Sequence, residues 1–445
     1  MMYIKSFFIS SVFLFCVIQL HAQNNENSPL SRYALGDLRI ASTGWMAGMA
    51  NAGTGFISEQ LYNPLNPATT AFLKQTDMEI GVYARRNKLE EASGNTITDW
   101  SGNINNIQLA VPLRNAINEI LDRKKYIHSY AIQIGLCPYS SVGYRSETID
   151  STDKNNQLSR FVQGDGLIQN FQLGFSYRYK DLAVGLRMNY LFGNLNFNQN
   201  LYFNSLPASY DSYLNDKVHI SGWQPVLGFS YRKILNQEQL TKDNSLRRQI
   251  FSAGLVFDIP VKFNSSYSAL HQTRFEDALG VVDTVLYINE LNEKGTLPFG
   301  VQAGLAYSHK DKYGFMGSFQ WADWKNAELT TGLINGTKSS NRIAIATWYK
   351  PGLNSFDNVI KKSTYRFGAY LENDYRTIDN TEIKGMGLSV GWSYPIIFLR
   401  QDAMFHLNVD FGKRKLEERL KENYINIHFG ISINDNEWFL KRKYN

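Results

Sequence analysis

Residues 168–203 read IQNFQLGFSYRYKDLAVGLRMNYLFGNLNFNQNLYF, and this stretch decides the fold. Phe171, Leu173, Phe175, Tyr177 and Tyr179 fall two residues apart, with Gln172, Gly174, Ser176 and Arg178 between them. A period of two puts the apolar set on one face of a β-strand and the polar set on the other. Lys180-Asp181 is a minimal turn, and the same alternation resumes at Leu182, so the two runs form an antiparallel hairpin.

The rhythm spreads outward in both directions. It opens with Met78–Arg85, Asn106–Leu113 and Ser129–Tyr144, and reaches this hairpin as Ile168–Tyr179 and Leu182–Phe203. It continues through Val218–Lys233, Gln249–Tyr267, Pro298–His309, Tyr313–Trp324 and Arg342–Lys350. Thr364–Tyr375, Lys384–Tyr394, Ala403–Gly412 and Tyr424–Ile433 bring the total to fourteen. An even number of strands of about ten residues, each with one apolar and one polar face, is the pattern of a transmembrane β-barrel. Aromatic residues make up 14% of the chain, with 26 Tyr and 27 Phe. Many sit at segment ends (Tyr177 and Tyr179, Trp223, Tyr231, Trp321 and Trp324, Trp348 and Tyr349, Trp392 and Tyr394), as interfacial girdles require. Short Lys180-Asp181 and Lys310-Asp311-Lys312 turns mark one side, taken as periplasmic, and the irregular stretch Ser268–Leu297 marks the other. Arg114–Lys125 carries apolar residues at helical spacing and reads as a short interfacial helix.

The mean hydropathy of −0.32 does not suit a helical membrane protein. Beyond the amino terminus no apolar run approaches the roughly 20 residues of a spanning helix. Residues 1–22 pair Lys5 with the apolar run Ser6–Leu20 and read as a secretory signal peptide cut after Ala22. The mature chain then keeps only Cys137, which allows no intrachain disulfide and reads as strand packing. A net charge of +6, spread along the 445 residues, argues against a nucleic-acid surface.

Before the first strand lies AGMANAGTGFISEQLYNPLNPATT, residues 47–70. Two Asn-Pro steps, Asn63-Pro64 and Asn66-Pro67, exclude a continuous helix, and the small residues permit close packing. This is a compact hatch, and its place ahead of the strands implies that it plugs them. The expected organisation is a signal peptide over 1–22, a hatch over 23–76, a barrel over 77–434 and a basic periplasmic tail over 435–445. Trp45, Met46, Met49 and Phe56 could line an apolar path or simply pack the plug.

With Asn66-Pro67-Ala68 in the hatch and fourteen strands after it, the chain resembles the FadL/TodX family of outer-membrane transporters of hydrophobic compounds. The mature start NSPLSRYALGDL (Asn27–Leu38) and the end WFLKRKYN resemble the version found in Bacteroidetes. The resemblance implies passive passage of a fatty-acid-like or aromatic molecule past hatch residues Asn63, Asn66, Pro67 and Ala68. It also implies a lateral exit at an inward kink of the third strand, where this chain has Gly135 and Pro138. Pro138 either breaks that strand locally or ends it. PorV-like relatives share the fold and serve a secretion translocon, so a non-transporting scaffold or shuttle is the alternative. No catalytic triad, metal-ligand spacing or cofactor motif stands out, which leaves a lipid-acting barrel enzyme without support. His406 and His428 are expected to face the lumen together from adjacent strands. The expected partners are membrane lipids, a hydrophobic small molecule and an outer-membrane protein complex.

Overall fold

The structure, a computed structural model, describes residues 28–438 apart from 92–93, 124–125, 151–157, 204–208, 244–246, 276–281, 335, 353–357, 399–400 and 418. The signal peptide read over 1–22 and the basic run Lys441–Lys443 lie outside the described residues.

Fourteen antiparallel strands close into a barrel. They are β1 (Thr76–Glu91), β2 (Thr96–Pro112), β3 (His128–Asp150), β4 (Leu158–Tyr179), β5 (Leu182–Phe203) and β6 (Asp211–Ile234). Two interrupted strands follow, β7 (Gln249–Asp258 and Lys262–Arg274) and β8 (Val282–Thr296 and Gly300–His309). Then come β9 (Tyr313–Ala322), β10 (Ser340–Tyr349), β11 (Thr364–Ile378), β12 (Thr381–Phe398), β13 (Gln401–Leu416) and β14 (Leu420–Asp435). Each pairs with its sequence neighbour, and β14 returns to β1 from Leu420–Glu91 to Asp435–Thr76. Closure is what lets a sheet sit in hydrocarbon, where an open edge would leave backbone groups unbonded.

The alternation read from the sequence becomes two faces. On β1, Ile80 is 46% exposed on the outside while Glu79 is 1% exposed inside. On β12, Leu388 is 62% exposed and its neighbour Ser389 2%. The outward surface is thus Ile, Leu, Val, Met and Phe, and the inward one is Asn, Gln, Ser, Arg and Gly. The interruptions in β7 and β8 fall at Ile259-Pro260-Val261 and Leu297-Pro298-Phe299, since proline has no N–H for the ladder.

Three expectations change. Ser268–Leu297 is not irregular: β7 runs to Arg274 and β8 begins at Val282, so the hairpin rises as paired strand above the apolar band. Most of Val282–Glu293 is exposed on both faces, with apolar residues such as Val285, Leu286 and Tyr287 on either side, so the period-two signal vanishes. Two supposed girdle residues point inward instead. Trp348 shares the lumen face with Ala344 and Ala346, and Trp324 is buried against Tyr375 at 4.5 Å. All three longer periplasmic connections, not the first alone, carry a short helix: Ala116–Leu121, Gln237–Lys242 and Val359–Lys362.

Replacing Leu388 by Arg puts a charge near the middle of the lipid-facing band. It is expected to lower stability by about 2–4 kcal/mol in urea refolding into vesicles.

Candidate functional site

Residues 28–75 run through the inside of the barrel and touch its wall around most of the circumference. Backbone packs on backbone at wall glycines. A Cβ on Gly304 of β8 would stand 2.6 Å from Gly55 N, and one on Gly254 of β7 2.3 Å from Thr54 O. The same closeness recurs at Gly185 of β5 against Ala68 N (2.6 Å), Gly368 of β11 against Ala50 N (2.6 Å) and Gly391 of β12 against Gly48 Cα (2.8 Å). Any side chain at these positions would push the segment away from the wall.

The two Asn-Pro steps fold the segment on itself. Asn63 Nδ2 donates to Gly53 O (2.8 Å) and Phe56 O (2.9 Å), and its Oδ1 accepts from Leu65 N (3.0 Å). Asn66 caps the short helix Pro67–Phe72 by accepting from Ala68 N (3.0 Å). Its Nδ2 donates to Thr54 O (3.1 Å), and to Phe229 O and Ser230 Oγ of β6 (each 3.0 Å). Pro67 begins that helix, where no N–H is needed. Trp45, Met46 and Met49 are buried in one cluster with Leu65, Ala344 and Tyr370. Trp45 donates its indole N–H to Tyr62 O (3.0 Å) and meets Phe56 at 5.3 Å.

Towards the extracellular end the segment is tied by buried charge. Asp37 accepts a two-pronged bond from Arg414 (2.7 and 3.1 Å) and pairs with Arg376 at 2.7 Å. Arg414 and Arg85 share Glu422 at 3.2 and 2.9 Å, and Ser28 Oγ donates to the same carboxylate at 3.0 Å. Arg376 also reaches Leu30 O (2.9 Å). Buried charges persist only when paired in this way. At the periplasmic end Glu59 binds Lys74, Arg248 and Arg232 at 2.7, 2.9 and 3.0 Å. Nothing in sequence spacing pointed to these contacts, because most of the partners lie far apart in the chain, Asp37 and Arg414 by 377 residues.

The wall itself is incomplete between β2 and β3. Their ladder runs only from Pro112–Ala131 to Ile107–Leu136. Above Leu136 strand β3 stays with β4, with a register shift between Pro138 and Ser140, but leaves β2. Gly135 therefore sits in the last stretch of the ladder, and Pro138 sits just beyond it. The vacated edge of β3 is taken by the amino-terminal segment: Asp37 and Leu38 pair with Ser141 and Ser140, and Ser28 N donates to Gly143 O (2.8 Å). On the β2 side the seam is thinner, with Asn105 Nδ2 donating to Ser42 O at 2.9 Å.

Two cavities flank the segment. The one towards the outside measures about 290 Å³ and has a mixed lining, with Arg187, Asp258, Gln302, Arg342 and Glu372 beside Leu65, Trp321 and Tyr375. The other measures about 860 Å³ and lies at the periplasmic end, where Trp45, Met49 and Phe56 line it. Met46 lines neither. Both histidines of the last two strands sit on the lumen face. His406 Nδ1 is 2.6 Å from Ser393 Oγ, and Nε2 is 3.0 Å from Ser432 Oγ. Arg366 donates to the same Ser393 oxygen, and Ser393, His406 and Ser432 are all buried.

Residues 2–445 match the model of the BamG family. The chain belongs to that family. No curated protein matches it. Among solved structures it is similar to a FadL homologue of Pseudomonas aeruginosa, with a TM-score of 0.56 at 12% identity over 90% of this chain and 99% of that one. The monoaromatic hydrocarbon channel CymD gives 0.52 at 14% identity, covering 91% and 98%. The Pseudomonas putida toluene transporter TodX gives 0.52 at 15% identity, covering 90% and 99%. At such identities the likeness is one of fold. The resemblance to FadL/TodX proteins thus holds for the barrel, while the family whose model matches is BamG.

Gly304→Val is expected to loosen the amino-terminal segment at a cost of about 1–3 kcal/mol. Faster proteolysis within residues 28–75 and a lower unfolding temperature would report it. Gly317→Val, whose Cβ would meet nothing closer than 3.8 Å, is the silent control.

Proposed function

We propose that this is an outer-membrane protein that passively admits a hydrophobic small molecule, fatty-acid-like or aromatic, and that the route leaves sideways between β2 and β3. The observation that carries the proposal is the ladder that stops at Ile107–Leu136. An apolar solute crossing the charged network around Asp37, Arg376 and Arg414 would gain nothing and displace paired ions. A seam in the wall opens instead on lipid, which such a solute enters freely. Gly135 and Pro138 shape this seam, and residues 36–42 form its shutter. Residues 23–76 act as the hatch of the barrel formed by 77–434, with Trp45, Met46, Met49 and Phe56 as its apolar layer and Asn63, Asn66, Pro67 and Ala68 as its frame. The fold neighbours titled as a toluene transporter and a monoaromatic hydrocarbon channel support the solute class.

A second reading has its own observation. The lumen is filled by the amino-terminal segment, which leaves a cavity of only about 290 Å³ on one side and suits a non-transporting scaffold or shuttle for an outer-membrane secretion or assembly complex.

The shutter can be pinned. Cysteines at Ser42 and Asn105, bridged by a short bis-maleimide, are expected to cut uptake of a hydrophobic dye into proteoliposomes by roughly tenfold, while the unbridged variant keeps wild-type uptake. Uptake that ignores the bridge removes the lateral route. Uptake equal to that of protein-free vesicles, with another outer-membrane protein co-purifying in stoichiometric amount, establishes the scaffold reading instead.

A further inference from the structure

The periplasmic cavity of about 860 Å³ has the size of a ligand site and a two-part lining. One part is apolar and adaptable: Trp45, Met49, Phe56, Leu61, Trp348 and Met404. The other is a cation placed where burial is costly. Arg366 of β11 lines the same cavity, yet only 4% of it is exposed. Among the described residues no carboxylate forms an ion pair with it; one N–H goes to Ser393 Oγ. Five other arginines of the lumen, by contrast, have an acid: Arg85 and Arg414 have Glu422, Arg376 has Asp37, Arg342 has Glu372 and Arg232 has Glu59, while Arg187 donates to Pro64 O. A buried guanidinium with no directly paired acid is expensive, and a second donor in the same lining, the indole N–H of Trp348, is buried with no partner among the described residues.

Arg366 is held rather than merely tolerated. It donates to Ser393 Oγ, Ser393 to His406 Nδ1, His406 Nε2 to Ser432 Oγ, and Ser432 to Glu79 Oε2 at 3.0 Å. The sense of the chain is set at its two ends, because arginine can only donate and a carboxylate can only accept. Glu79 also accepts from Gly44 N and Asn106 Nδ2 (3.2 Å); it acts on Arg366 at a distance, through the chain, and forms no ion pair with it. The acids on the cavity wall are Glu59 and Asp311. Glu59 is fully engaged by Lys74, Arg248 and Arg232, and Asp311 sits with Lys350 and Arg247 near the opening.

We propose that this cavity binds a single-chain anionic amphiphile from the periplasmic side, its carboxylate or phosphate on Arg366 and its hydrocarbon against Trp45, Met49, Phe56, Trp348 and Met404. The site stands whether or not any solute crosses the seam between β2 and β3. A planar guanidinium offers paired N–H groups to either anion, so a free fatty acid and a lysophospholipid headgroup share the recognising chemistry.

The full-length protein in maltoside micelles is titrated with oleate, oleoyl-lysophosphatidylglycerol and methyl oleate, and retained ligand is counted by native mass spectrometry. One equivalent of an anionic ligand is expected, held about tenfold more tightly than the ester. Arg366→Gln abolishes that preference, and Arg366→Lys keeps most of it. Heat-modifiable gel mobility checks the fold of each. Should Arg366→Gln fail to fold, Ser308→Trp, which fills the cavity from β8, is expected to remove binding. Retention of oleate alone assigns a free acid, and of the lysolipid alone a membrane headgroup; either supports the site. Equal binding of ester and acid, binding indifferent to Ser308→Trp, or no retained amphiphile overturns it.

Discussion

In hydrocarbon every backbone N–H and C=O must find a partner within the protein, and the architecture turns on where the wall alone cannot supply one. Thirteen of the fourteen seams are closed by long ladders between consecutive strands or between β14 and β1. The seam between β2 and β3 is not, because the ladder stops at Ile107–Leu136 and Pro138 brings no N–H. The amino-terminal segment fills that deficit with Asp37 and Leu38 on the edge of β3. Its entry into the barrel is therefore part of the wall's own hydrogen bonding as well as an occupation of the lumen.

Once inside, the segment is held by two kinds of contact with different physics. Glycines at Gly185, Gly254, Gly304, Gly368 and Gly391 let main chain lie on main chain, a fit that depends on the absence of side chains. Charged groups then fix its register: Asp37 between Arg376 and Arg414 at one end, Glu59 among Lys74, Arg232 and Arg248 at the other. The first sets how close the segment can come, and the second sets where along the axis it rests. Together they leave a smaller cavity on one side and a larger one on the other, both with mixed linings.

The two cavities differ in the groups they gather. One has Arg187, Asp258, Arg342 and Glu372 in its lining, whereas the other sets Trp45, Phe56 and Trp348 around Arg366. The β2–β3 seam lies to the side of both, with its thinnest contact at Asn105 and Ser42. The segment thus fills the axis of the barrel, and the wall's weakest seam lies beside it.

By itself the sequence determined the barrel. The alternation in residues such as Phe171, Leu173 and Phe175 is a local property, since a strand's two faces are read two residues at a time, and it gave strand number and closure correctly. It faltered at 268–297, where both faces meet water, and at Trp348, whose face depends on register rather than on composition. Asn63 and Asn66 were visible as turn formers through their prolines. Only the tertiary structure decided that β3 leaves β2 beyond Leu136, that Arg376 and Arg414 converge on Asp37, and that Arg366 lines a cavity without a directly paired acid. Each of these joins groups far apart in the chain, and a distance in space between such groups leaves no periodic trace in the sequence.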